Sequence, residues 1–194
     1  MLIALDGPAG AGKSTVARAV ADALGFTYLD SGAMYRCVGL RAAADGVTLD
    51  VAAVDIAFDD GDRVLLDGED VSEAIRTPEA AQAASRVATD PAVRAALVTK
   101  QRTLIAEGDW VVEGRDIGTV VAPGAELKIW LTADPAERAT RRQLPVQELI
   151  DRDARDASRA VSPMKPADDA ITVDTTGLAF ETVVARIVAL ARTG

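Results

Sequence analysis

The chain has 194 residues, 49% of them hydrophobic, with 30 acidic side chains against 21 basic ones and a formal net charge of −9 at neutral pH. That length suits one α/β domain with a small addition, and the acidic balance argues against nucleic-acid binding as the main role while leaving room for a local basic pocket. Histidine is absent and Cys37 is the single cysteine, which excludes histidine bases, Ser-His-Asp catalysis, a cysteine metal cluster and a disulfide framework.

Leu2-Ile3-Ala4-Leu5 has the length of a buried strand. After it, Val16, Val20, Ala23 and Leu24 recur at helical spacing. Between them, Gly7-Pro8-Ala9-Gly10-Ala11-Gly12-Lys13-Ser14 fits G-x-x-x-x-G-K-[ST] at every fixed position. Strand, glycine-rich loop and helix form the setting in which this pattern binds phosphate. Small residues let successive N–H groups close around an anion, and the helix start adds its positive end. Lys13 then offers a mobile charge to the outer phosphates, and Ser14 a hydroxyl to magnesium.

Phe26-Thr27-Tyr28-Leu29 predicts a second strand ending at Asp30-Ser31-Gly32. In a parallel sheet, ligands gather at such carboxyl ends. Ser31 either caps the next helix, about 33–44, or faces a ligand; Arg36, a turn later, is either a surface arginine or a partner to the same ligand. The stretch 58–71 is rich in Asp and Gly, and Asp67-Gly68 between short β-capable runs predicts a hairpin turn. Leu65-Leu66-Asp67 imitates the apolar run and aspartate of a Walker B strand, but its Asp-Gly serves the turn.

Thr77-Pro78-Glu79 predicts a helix start, with a helix to about Val87. Asp90-Pro91 predicts another, to about Glu107, on which Arg102 reads as a solvated arginine. Trp110-Val111-Val112-Glu113-Gly114 predicts a buried strand that delivers Arg115 and Asp116 to the edge bearing the glycine-rich loop, where ligand binding is favoured over a structural ion pair. Leu127 to Leu131 is a further strand, and Asp134-Pro135 opens a helix carrying Arg138, Arg141 and Arg142. Arg152, Arg155, Asp156 and Arg159 share a helical face. So many arginines in an acidic chain predict a mobile flap that closes on phosphates. Ile171 to Asp174 is the last strand, and Phe180, Val183, Val184, Ile187, Val188 and Ala191 mark an amphipathic closing helix. The fold expected is a P-loop-type parallel sheet flanked by helices. Its core is 1–57, 77–137 and 160–194, with an insertion at about 58–76 and an arginine-rich lid at about 138–159.

Three segments resemble signatures of the bacterial cytidylate kinases: 30–36 (Asp-Ser-Gly-Ala-Met-Tyr-Arg), 114–121 (Gly-Arg-Asp-Ile-Gly-Thr-Val-Val) and 159–163 (Arg-Ala-Val-Ser-Pro). Residues 67–72 with Ile75-Arg76, and residues 166–170, are similar as well. The resemblance implies ATP- and magnesium-dependent phosphorylation of CMP and dCMP. Gly7 to Thr15 match the family's ATP loop. Residues matching Ser31, Arg36, Arg102, Arg115, Asp116, Asp156 and Arg159 bind the CMP base, sugar or phosphate, and the one matching Arg152 belongs to the lid over the ATP phosphates. Catalysis would fall to Lys13, Arg152 and Arg159. The lid departs from the family: only residues 143–151 separate Arg142 from Arg152, which leaves the parts of Arg138, Arg141 and Arg142 open. Rival readings are a kinase of the same build acting on another small acceptor, and a nucleotide-binding regulator. No run has transmembrane length and none reads as a signal peptide. A cytoplasmic monomer with no nucleic-acid or membrane partner is expected.

Overall fold

The computed structural model describes residues 1–45, 50–59, 63–159 and 161–193. In chain order the elements are β1 (Leu2–Asp6), α1 (Lys13–Leu24), β2 (Thr27–Asp30), α2 (Ser31–Asp45), β3 (Ile56–Asp59), β4 (Arg63–Leu66), β5 (Glu69–Asp70), α3 (Pro78–Val87) and α4 (Pro91–Leu104). There follow β6 (Trp110–Gly114), β7 (Leu127–Thr132), α5 (Pro135–Arg142), α6 (Val146–Ala157), β8 (Ile171–Asp174) and α7 (Phe180–Thr193). The chain divides into two compact units, Met1–Asp30 with Leu104–Gly194, and Ser31–Thr103.

The first unit is built on a five-stranded sheet in the order β2-β6-β1-β7-β8, parallel throughout. Strands buried on both faces need continuous apolar runs, and β1 supplies one: Ile3, Ala4 and Leu5 have no exposed surface. Ile3 and Leu5 share a core with Val16 and Val20 of α1, Val111 of β6, Ile129 and Leu131 of β7, Val173 of β8, and Val183 and Ile187 of α7. Of the stripe its spacing predicts, the closing helix buries Val183, Ile187, Val188 and Ala191, while Val184 is half-buried and Phe180, at its first turn, is exposed. Since β6 flanks β1 on one side and β7 on the other, the loop after β1 opens where neighbouring strands diverge, the place where parallel sheets bind ligands.

The second unit holds a separate antiparallel sheet, β3-β4-β5. Asp67 and Gly68 join β4 to β5 with positive φ at both residues, the geometry that favours Asp-Gly in tight hairpins. Of the predicted insertion, residues 60–62 lie outside the described residues; so does residue 160, the predicted start of the last core segment. The helix start at Thr77-Pro78 is as read: the Thr77 hydroxyl accepts from the Ala80 N–H. Gly39 of α2 lies so close to α3 that a Cβ there would sit 2.8 Å from the Ala84 nitrogen. Cys37, two residues earlier, is fully buried.

Candidate functional site

Gly12 caps α1 in the left-handed region and, having no side chain, offers the helix's first N–H groups no cap hydrogen bond of its own. Gly7 also has a positive φ, and a Cβ there would lie 2.0 Å from the Leu131 carbonyl oxygen. Only glycine fits that approach of loop to sheet. Lys13, the first residue of α1, is buried and donates from Nζ to the Pro8 carbonyl at 2.8 Å. Burial pushes its pKa well down, and the cations of Arg115 and Arg142 add to the effect. A buried ammonium crowded by other cations gains most from an incoming anion.

Arg115 leaves the end of β6 and donates from Nη1 to the Gly7 carbonyl at 2.5 Å and from Nε to Asp156 at 3.1 Å. Arg159 bonds the other oxygen of Asp156, which is buried. Asp156 therefore holds two arginines side by side beside the glycine-rich loop. The Arg152 Nε is buried without a hydrogen-bond partner. Burial, then the Arg115 charge, lowers the Arg152 pKa to about 10. The structure thus brings Lys13, Arg115, Arg142, Arg152, Asp156 and Arg159 together around one loop.

The helical face expected at 152–159 is corrected in two respects. Arg159 lies beyond the end of α6, because Ser158 caps it. Arg155 is exposed and donates to the Asp151 carbonyl of its own helix. Arg138 is buried and bonds the carbonyls of Ala133 and Ala9 and the Asp153 carboxylate. Asp153 in turn accepts from the Ala9 N–H at 3.2 Å, and Ala9, Ala139 and Leu149 form a small apolar cluster. Arg141 is engaged by Glu137 and Thr175. Arg138 and Arg141 therefore fasten α5 in place, and α5 and α6 lie directly on the loop.

Glu113 was passed over in the sequence as mere strand. It is buried at the end of β6, accepts from the Tyr28 hydroxyl at 2.5 Å and from the Ser14 hydroxyl, and is raised in pKa by burial and by Asp30. The signal was present: Trp110-Val111-Val112-Glu113 is an apolar run closed by a carboxylate. What sequence lacked was that β6 lies beside β1. Asp6 was missed too. Its buried carboxylate accepts from the N–H groups of Ile117 and Gly118 at 2.9 and 2.7 Å. Asp116 itself is buried.

In the second unit, Ser31 is buried and is itself the first residue of α2, while Arg36 is half-buried. Arg102 is exposed on α4. The buried arginine of that helix is Arg94, which donates to the Ala88 carbonyl at 3.4 Å and lies over the Tyr35 ring. Arg94, Leu97 and Gln101 fall at i, i+3 and i+7, a spacing that marks the inward face. Gln101 Nε2 is buried there without a hydrogen-bond partner.

The family model described as cytidylate kinase matches residues 3–193. The chain is 48% identical to the cytidylate kinase of Pelotomaculum thermopropionicum, over 99% of this chain and 96% of that protein. It is 46% identical to the cytidylate kinase of Carboxydothermus hydrogenoformans, over 96% of this chain and 95% of the other. The first alignment runs to 217 positions against the 194 residues here, so that relative carries internal residues this chain lacks. The shikimate kinase of Acinetobacter baumannii shares the fold, with a TM-score of 0.53 and 18% identity over 99% of this chain and 93% of that one. With a family match across nearly its whole length and two such full-length relatives, the chain belongs to the cytidylate kinase family.

Proposed function

We propose that this protein transfers the γ-phosphoryl group of ATP to CMP or dCMP, giving ADP and CDP or dCDP. The observation that carries the reading is the buried Lys13 in its glycine-rich loop, crowded by Arg115 and Arg142, with Arg152 under the same positive field. Such a cluster in an acidic chain suits two polyanions brought together. A phosphate oxygen of CMP attacks the γ-phosphorus as the bond to the ADP oxygen breaks. The acceptor phosphate has its second pKa near 6, so it is largely ionised at neutral pH and needs no strong base, in keeping with a chain that lacks histidine. Rate then comes from alignment and charge neutralisation.

In this reading Gly7 to Thr15 hold the ATP phosphates, and Lys13, Arg152 and Arg159 neutralise the group in transfer. Ser31, Arg36, Arg102, Arg115, Asp116, Asp156 and Arg159 are the residues we assign to CMP. Ser14 is the expected magnesium ligand. Its hydroxyl beside the Glu113 carboxylate, with Asp30 near enough to raise the Glu113 pKa, is an all-oxygen environment that fits a hard divalent cation. Magnesium, when bound, would neutralise charge between the β- and γ-phosphates. We further propose that the protein works as a cytoplasmic monomer with neither nucleic acid nor membrane as partner. Among the described residues no helix is long and apolar enough to cross a membrane. A sedimentation coefficient independent of concentration is expected, and a stable dimer would refute the monomer.

The test is ADP release from magnesium-ATP with CMP, dCMP, UMP, AMP, dTMP and shikimate offered separately. Turnover with CMP and dCMP alone is expected. Turnover with another acceptor alone would overturn the substrate and keep the kinase, and none at all would leave a nucleotide-binding regulator.

A further inference from the structure

Tyr28 of β2 pairs with Val111 of β6, and Asp30 pairs with Glu113 in the same register. Alternate residues of a strand share a face, so Tyr28, Asp30, Val111 and Glu113 lie on one side of the sheet. Tyr28 and Val111 belong to the core that holds Val16 and Val20, which makes this the side that α1 covers. On that helix Ser14 and Arg18 are four residues apart, one turn along the same face.

These polar side chains close a circuit between helix and sheet. The Tyr28 hydroxyl donates to Glu113 Oε1 at 2.5 Å. The Ser14 hydroxyl donates to the same carboxylate. The Arg18 guanidinium lies over the Tyr28 ring, 4.5 Å from its centre, a cation–π contact that holds the ring in place. Core packing alone would accept phenylalanine at position 28. What the hydroxyl adds is the bond to Glu113.

A serine hydroxyl carries one proton and two lone pairs, and the acceptor of the proton decides where the lone pairs point. Ser14 is exposed at the end of the glycine-rich loop, whereas Glu113 is buried. With its proton turned to Glu113, Ser14 leaves its lone pairs to the open side of the loop, where a hard cation can take them. That orientation holds only while Glu113 stays in place. Glutamate is a flexible side chain, and the Asp30 charge, its register partner, repels it. Tyrosine turns about fewer bonds, and this one is packed against the core with Arg18 across its face. Its hydroxyl tethers a mobile carboxylate to a fixed point.

We infer that Tyr28 is a positioning residue for the phosphate-bound cation: through Glu113, its hydroxyl sets the direction of the Ser14 hydroxyl at the end of the glycine-rich loop. The assignment rests on the reading of Ser14 as the magnesium ligand. Groups that stand behind a metal's ligand fix its orientation, and losing one commonly weakens metal binding by about 10- to 100-fold. Tyr28 stands one step further back, so its loss belongs at the low end of that range.

The test measures ADP binding by titration calorimetry, in magnesium and in EDTA, for wild type, Tyr28→Phe, Ser14→Ala and the double variant. The ratio of the two dissociation constants is the gain that magnesium brings. Tyr28→Phe keeps the ring under Arg18 and removes one oxygen. It should reduce the magnesium gain about tenfold while leaving the EDTA value within about twofold. In the Ser14→Ala background it should add little, because its effect passes through that hydroxyl. In the kinase assay KM for magnesium should rise by a like factor, with kcat at saturating metal near that of wild type.

An equal loss in magnesium and in EDTA would overturn the proposal, because Tyr28 would then support the loop as a whole. So would an undiminished gain in Tyr28→Phe alongside a lost one in Ser14→Ala, or a full further loss in the double variant. A gain that Ser14→Ala leaves intact would instead overturn the reading of Ser14 as the magnesium ligand.

Discussion

Lys13 is a cation held out of water with a backbone carbonyl as its hydrogen-bond acceptor. Lys13→Ala should cut phosphoryl transfer by about 10³-fold while leaving the melting temperature within a few degrees, since in the proposed reaction it removes a charge that neutralises the moving group. Near-normal turnover would refute that role. Asp6 carries a prediction of its own. Its folded-state pKa of about 6 stands above the ordinary 3.8, so the folded protein binds the proton more tightly than the unfolded chain does. Its contribution to stability is therefore complete below about pH 4 and is lost as pH rises through about 6. Urea unfolding at pH 4 and pH 7.5 should show wild type losing roughly 2–3 kcal/mol relative to Asp6→Asn over that span. An unchanging difference would mean Asp6 titrates normally. At this scale the loop was legible because its chemistry is contiguous in sequence: Gly7 to Ser14 are neighbours. Glu113 and Asp6 were not, because each acts on a segment that only strand order brings near, Glu113 on Ser14 and Asp6 on Gly118.

At the scale of elements, α5 and α6 are fastened to the glycine-rich loop through Arg138 and Asp153. Arg138 spends its donors on two carbonyls and one carboxylate, and Asp153 reaches the Ala9 N–H as well. Breaking a buried pair from one side leaves a charge uncompensated, at a cost of about 3–5 kcal/mol. Arg138→Met and Asp153→Ala should each destabilise on that order, and the double variant by clearly less than the sum, as read from urea unfolding. Additive losses would mean the two side chains act independently. The flap reading counted arginines, and the count could not separate those aimed at phosphate from those tied to main chain. Arg138 and Arg142 are four residues apart in one helix, one buried in hydrogen bonds and the other exposed near Lys13. The helices, strands and Asp67-Gly68 hairpin were readable because caps, apolar periods and turn residues are local signals. Element starts shifted by a residue or two, as α2 shows by beginning at Ser31.

For the molecule as a whole, a net charge of −9 coexists with a cluster of cations around one loop. The cluster attracts nucleotides against a repelling background, so screening should tell. Between about 0.01 and 0.1 M salt the screening length falls from about 30 to about 10 Å, and KM for CMP and ATP should both rise severalfold. Values insensitive to salt would mean that contact pairs alone carry the binding. The buried Cys37 has a different consequence. It is the chain's single thiol and lies wholly inside the Ser31–Thr103 unit. A thiol reagent in native buffer therefore reads one event, the transient opening of that unit, with no competing signal from the other. Modification about 10³-fold slower than that of a small exposed thiol is expected, and the ratio of the two rates measures the opening free energy directly. The molecule thus carries its own clock for the breathing of its smaller half.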